Sequence, residues 1–148
     1  MHRHPIRSAA AIAALAALSA FGLVAMPASA ASACAQLEVH NVRPDQGAVR
    51  VAAYADAAAY GKMPVVQLEL RAEATTLSVP LCDLAGATSI AVTLYQDTNG
   101  NGKLDRNLLG IPSEPWGASG KPSAMSAPTW ETTAVALDGA PVVVRLSQ

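Results

Sequence analysis

The chain has 148 residues, 51% hydrophobic and only 14% charged, which suits one domain with one core. Ten basic residues meet eleven acidic ones for a formal net charge of −1, and no basic cluster stands beyond the first seven residues. Nucleic acid is therefore not an expected partner.

The chain opens with the basic "MHRHPIR", followed by the apolar "SAAAIAALAALSAFGLVAM" and the small residues "PASAASA". That order reads as a secretory signal peptide over residues 1–30. Pro27 and the Ala28-Ser29-Ala30 triplet favour cleavage, after Ala30 or as late as Ala33, over retention as a membrane anchor. What remains is expected to be a single domain over 34–148 with no membrane span, periplasmic or secreted.

Cys34 then stands where a lipoprotein would carry its acylated cysteine, but Ala31 replaces the leucine expected three residues earlier, so soluble export ranks ahead of lipid anchoring. In an oxidising compartment an even pair of cysteines more often bonds than stays free. A Cys34–Cys82 disulfide is expected ahead of two buried thiols.

Further along, short alternating runs recur between turn residues. "QLEVHNV" sets Leu37 and Val39 against Glu38 and His40, and "RPDQG" follows as a turn. "AVRVAAYA" aligns Val49, Val51 and Ala53, and "VVQLELR" aligns Val66, Leu68 and Leu70. "TLSVPL" groups Leu77, Val79 and Leu81, while "SIAVTLYQ" groups Ile90, Val92 and Leu94. "TAVAL" and "PVVVRL", split by the turn signal "DGA", complete seven expected strands, each with one apolar face. The pattern predicts an all-β fold: a seven-stranded antiparallel sandwich, immunoglobulin-like or transthyretin-like. No segment keeps a helical period; "DAAAYGKM" is expected to give one short turn of helix at most.

The rhythm breaks from Asp97 to Pro128, where no strand is expected. Leu108, Leu109, Ile111 and Trp116 provide apolar groups to pin this long stretch down, so it is expected to be an ordered loop.

Its first part, "QDTNGNGKLD", carries oxygens at regular spacing. Asp97, Asn99, Asn101 and Asp105 fall at positions one, three, five and nine of an EF-hand-type loop, and Gly102 falls at position six. Lys103 at position seven would contribute its backbone carbonyl. These are ligands for a hard cation, which makes calcium the expected cofactor and zinc an unlikely one, because His40 and the cysteines are scattered. Position twelve holds Leu108 instead of the bidentate glutamate, so an acid from elsewhere must complete the shell, and Glu114 is the nearest downstream candidate. A plain Asn-Gly turn is the competing reading. It would need one such pair and no acids at this spacing.

Beyond this motif, "YQDTNGNGKLDRNLLGIPSEPWGASG", followed by "APTWETTAVAL" and a last strand, resembles the exported bacterial proteins grouped as domain of unknown function 2141. The resemblance covers most of the chain from Leu37 to Leu146 and implies an exported β-sandwich with no activity established for the class. It carries over at Asp97, Asn99, Asn101, Gly102 and Asp105, then at Gly110, Pro112, Glu114 and Gly117. This chain departs from the pattern at Gln96, where a histidine is common, and at "LAGATSIAV", which replaces a Pro-Gly-Thr-Tyr step.

An enzyme is not expected. The one histidine beyond the leader, His40, falls on the outer face of the first strand, no serine sits in a nucleophile-elbow context, and Asp97 and Asp105 are better explained by an ion than by glycoside chemistry. The expected function is a non-catalytic exported domain with a structural calcium ion, acting on an envelope or extracellular partner. The alternative is a glycan- or peptide-binding module that uses Trp116 as a platform. Trp116 can equally cap the open end of the core, which is the favoured reading because aromatic residues are scarce; Trp130 is expected in the core.

Overall fold

The computed structural model describes residues 34–84, 86–123 and 126–147. The expected signal peptide and its cleavage site lie outside the described residues. Eight strands and one helical turn follow in order: β1 (Ala35–His40), β2 (Ala48–Tyr54), β3 (Val66–Arg71), β4 (Thr76–Leu81), β5 (Ser89–Asp97), β6 (Trp116–Ala118), α1 (Trp130–Thr133), β7 (Ala134–Ala136) and β8 (Val142–Arg145).

They form two sheets. One has the order β4-β1-β8, and the other runs β3-β2-β5-β6 with β7 also paired to β5. The alternation seen in the sequence is what builds the core: Leu37 and Val39 of β1, Val49 and Val51 of β2, Ile90, Val92 and Leu94 of β5, and Val142 and Val144 of β8 are all buried between the sheets. An antiparallel sheet with one apolar face is stable in water only when that face is covered, and here each sheet covers the other.

Three features differ from the sequence-based expectation. β6, "WGA", is an additional strand inside the stretch expected to have none; at three residues it is too short to show alternation. β1 and β8 pair in parallel, Leu37 opposite Val142. A hairpin forces antiparallel pairing, but these strands are joined through the whole intervening chain, so either direction is open to them. The helical turn falls at Trp130–Thr133, and the segment around Ala57–Lys62 forms turns without a helix.

The disulfide Cys34–Cys82 is present, spanning 48 positions and tying the start of β1 to the residue after β4. It continues the β1–β4 ladder, in which Ala35 already pairs with Leu81. Gly117 of β6 packs directly against β8 of the other sheet. It pairs with Leu94 and so faces inward, and a Cβ there would come 2.5 Å from the Arg145 carbonyl oxygen and 2.9 Å from Val144 Cγ1. Across this contact Ser147 N–H donates to the Trp116 carbonyl at 2.8 Å, and Trp116 N–H donates to Ser147 Oγ at 3.1 Å.

Candidate functional site: the loop after strand β5

The parity of β5 decides how the site is assembled. Ile90, Val92 and Leu94 point inward, so Gln96 does too, while Tyr95 and Asp97 share the outer face. Register then sets Arg50 of β2 opposite Tyr95. The Arg50 guanidinium reaches across to both neighbours, Nε to Asp97 Oδ2 at 2.9 Å and Nη1 to Glu69 Oε2 at 2.9 Å.

Asp97 is almost completely buried at 1% exposure. Its Oδ1 accepts the Asn101 N–H at 3.0 Å and its Oδ2 accepts the Gly102 N–H at 2.8 Å. Burial pushes this carboxyl upward, but the Arg50 hydrogen bond and the two backbone N–H groups outweigh it, so the group is held below the ordinary carboxylate value. Burial also raises the Tyr95 phenol, whose hydroxyl donates to the Gly102 carbonyl at 2.9 Å.

From Asp97 the chain turns through a series of side-chain-to-backbone bonds. Asn99 Oδ1 accepts the Asn101 N–H at 3.1 Å, and Asn101 Oδ1 accepts the Lys103 N–H at 2.9 Å. Both are Asx-turns. Gly102, with φ of +78°, takes the sharp turn at position six. The side chains of positions three, five and nine meet: Asn99 Nδ2 lies 2.6 Å from Asp105 Oδ2, and Asn101 Nδ2 lies 2.9 Å from Asp105 Oδ1.

Glu114, 6% exposed, is the clamp that closes the loop. Its Oε1 accepts the Thr98 N–H at 2.8 Å and the Thr98 hydroxyl at 3.0 Å, and its Oε2 accepts the Asp105 N–H at 3.1 Å. One carboxylate therefore joins the two ends of the oxygen-bearing turn. Among the described residues no three His, Cys, Asp or Glu side chains gather closely enough to hold a metal by themselves. A cation at this loop would depend on the amide oxygens of Asn99 and Asn101 as well as on acids.

After Asp105 the loop folds into a small hairpin. Ser113 N–H donates to the Asp105 carbonyl at 2.8 Å, Arg106 bridges to Pro112, and Asn107 N–H donates to the Ile111 carbonyl at 2.9 Å. The Asn107 side chain accepts the N–H groups of Leu109 and Ile111 at 2.9 and 3.0 Å, which fixes the tip.

Trp116 pairs with Tyr95 and so faces away from the core. The capping reading therefore does not hold. The indole instead lines an outer groove of about 360 Å³ with Leu104, Arg106, Ile111, Pro112 and Pro128. Trp130 likewise stands apart from the core: it is partly exposed at the start of α1 and meets Tyr60 edge-on with centroids 6.4 Å apart. His40 is 3.4 Å from the Glu38 carboxylate on the outer side of β1.

Sequence reasoning missed two residues of this region. Gln96, fully buried, bonds the 43–46 turn through Arg43 N–H at 2.9 Å and the carbonyls of Arg43 and Gln46, both at 2.6 Å. The available signal was parity: a polar residue continuing the inward series 90, 92, 94. Arg50 could not be found from spacing, because its link to Asp97 depends on β2–β5 register.

The fold and this loop define a two-sheet β-sandwich in which an Asx-rich turn, clamped by a buried glutamate, leads into a braced hairpin. The chain belongs to the family described as an uncharacterized protein conserved in bacteria (DUF2141), which matches residues 37–145. Searches of curated proteins and of solved structures returned no match.

Proposed function

We propose that this protein is an exported, non-catalytic β-sandwich module whose Asp97–Glu114 loop takes up one calcium ion, weakly, to fix the shape of the long loop. The observation that carries the reading is the meeting of Asn99, Asn101 and Asp105 side chains within 2.6–3.0 Å at calcium-loop spacing. Asx-turns at positions three and five, with the glycine turn at six, keep those side chains together. Asp97 shares its charge with Arg50 and Asp105 carries the other loop charge, so the expected affinity is low, with Kd of about 10⁻⁴ M. The disulfide supports an oxidising, extracytoplasmic setting. Among the described residues no helix is long and apolar enough to cross a membrane.

Thermal melting in calcium and in chelator tests the ion. At about one hundred times Kd the ion stabilises by about 2.7 kcal/mol, which raises the parent's midpoint by several degrees and leaves Asp105→Ala unmoved. A parent midpoint that ignores millimolar calcium removes the ion from the reading.

The second reading is a glycan- or peptide-binding module. It is favoured by the outward Trp116 and the groove of about 360 Å³ that it lines. Equal binding by the parent and Trp116→Ala across glycan and peptide arrays would rule it out.

A further inference from the structure

The hairpin tip carries the two most exposed large apolar side chains among the described residues, Leu108 and Leu109, with Ile111 beside them. Leu108 is 106% exposed, Leu109 83% and Ile111 56%. Flexible loops can leave such groups in water because they sample many positions, but this one is braced. The Asn107 side chain accepts the N–H groups of Leu109 and Ile111, Gly110 N–H donates to the Asn107 carbonyl at 2.9 Å, and Arg106 Nη1 donates to the Gly110 carbonyl at 2.8 Å. The tip's backbone polar groups are thus largely satisfied within the hairpin, which removes most of the penalty for leaving water.

Charge adds direction. The run from Arg106 to Ser113, "RNLLGIPS", bears one charge and it is positive; exposed Lys103 lies just before it. The nearest acids are committed: Asp105 to the two asparagine amides, Glu114 to the Thr98 and Asp105 N–H groups. Three aliphatic side chains on one tight convex turn bury far less than the roughly 800 Å² per partner of a stable protein interface. A fluid apolar phase needs no matching shape. We propose that residues 106–112 form a membrane-docking tip, in which Leu108, Leu109 and Ile111 enter the acyl region of an anionic bilayer while Arg106 and Lys103 meet lipid phosphates. Nothing in this depends on the cation reading, because the brace is built from Asn107, Arg106 and backbone.

The test places a reporter at the tip itself, so that an apolar leader cannot mimic the result. The full chain carrying Leu108→Trp is mixed with phosphatidylcholine vesicles, with and without phosphatidylglycerol, and its emission is read as a difference from the parent. With anionic vesicles the added indole shifts to the blue and is quenched by lipids brominated in their acyl chains. Leu109→Trp gives the same readout from the neighbouring position. In flotation with vesicles, Leu108→Ser combined with Leu109→Ser weakens binding by about tenfold, with an unchanged melting midpoint because both positions are exposed. Solvent-like emission from both tryptophan variants overturns the proposal, even if the chain floats. An equal response to vesicles without phosphatidylglycerol overturns the anionic preference. A concentration-dependent dimer abolished by the serine changes, with no vesicle binding, assigns the tip to a second copy and overturns the membrane.

Discussion

Gln96 and Arg43 exchange two hydrogen bonds across the end of the sandwich: the Gln96 carbonyl oxygen accepts Arg43 N–H at 2.9 Å, and its amide nitrogen donates to the Arg43 carbonyl at 2.6 Å. A third bond, to the Gln46 carbonyl, uses the second amide hydrogen. The side chain thus satisfies three backbone groups of the turn that links the two sheets. An imidazole has only two ring nitrogens, so a histidine here could not make all three bonds.

Gln96→Leu keeps the volume and leaves those backbone groups without partners. Each unsatisfied buried group costs about 1–3 kcal/mol, so with three such groups a loss of at least about 3 kcal/mol is expected in urea unfolding. Gln96→His is expected to fall between the leucine variant and the parent.

The Arg50–Asp97 pair predicts an acid-sensitive step. Asp97 is held below its unfolded value of about 3.9, so its contribution is fully present above that pH and disappears as pH falls through the lower, folded value. Arg50→Met removes the largest opposing influence and leaves burial to raise the carboxyl. Stability should then begin to fall at a higher pH than in the parent, as read from urea midpoints across the acid range.

Reducing Cys34–Cys82 releases a loop of 48 positions. The loop-entropy relation gives about 4 kcal/mol for a closure of that length. A lower urea midpoint in reductant, absent in a Cys34→Ala/Cys82→Ala double variant, would verify it.

Gly117→Ala forces a methyl against the Arg145 carbonyl and Val144. Backbone cannot yield as a flexible side chain can, so a destabilisation of about 1–3 kcal/mol is expected. Circular dichroism melting of the variant reads it directly.

Removing the Glu114 clamp should loosen the loop and spare the core. Glu114→Gln keeps one acceptor oxygen for the N–H groups of Thr98 and Asp105, where the carboxylate offers two. Hydrogen exchange at 98–105 should quicken by about tenfold while Val92 and Val144 keep their protection.

Much of the architecture could be read from period-two alternation, because a strand buried on one face must repeat that way: Leu37, Val49, Ile90 and Leu94 all stand where alternation assigned them. The disulfide was readable from its even count. What was hidden depended on register or on few residues. The outward face of Trp116 follows from its pairing with Tyr95, which no local pattern encodes. Three-residue β6 is too short to show a period. In the loop, the spacing of Asp97, Asn99, Asn101 and Asp105 was visible, and the structure brings Asn99, Asn101 and Asp105 together. Glu114 was chosen for proximity alone; its bonds to Thr98 and Asp105 make it a clamp between chain segments.

The parallel partnership of β1 and β8 has a bearing on how the molecule is made. The smaller sheet joins the earliest described strand to the last one, so on a ribosome it cannot close until residues 142–145 have emerged. Until then Leu37 and Val39 lack one side of their cover, and the nascent domain stays open to chaperones. A chain cut short before Val142 should accumulate in that unfinished form.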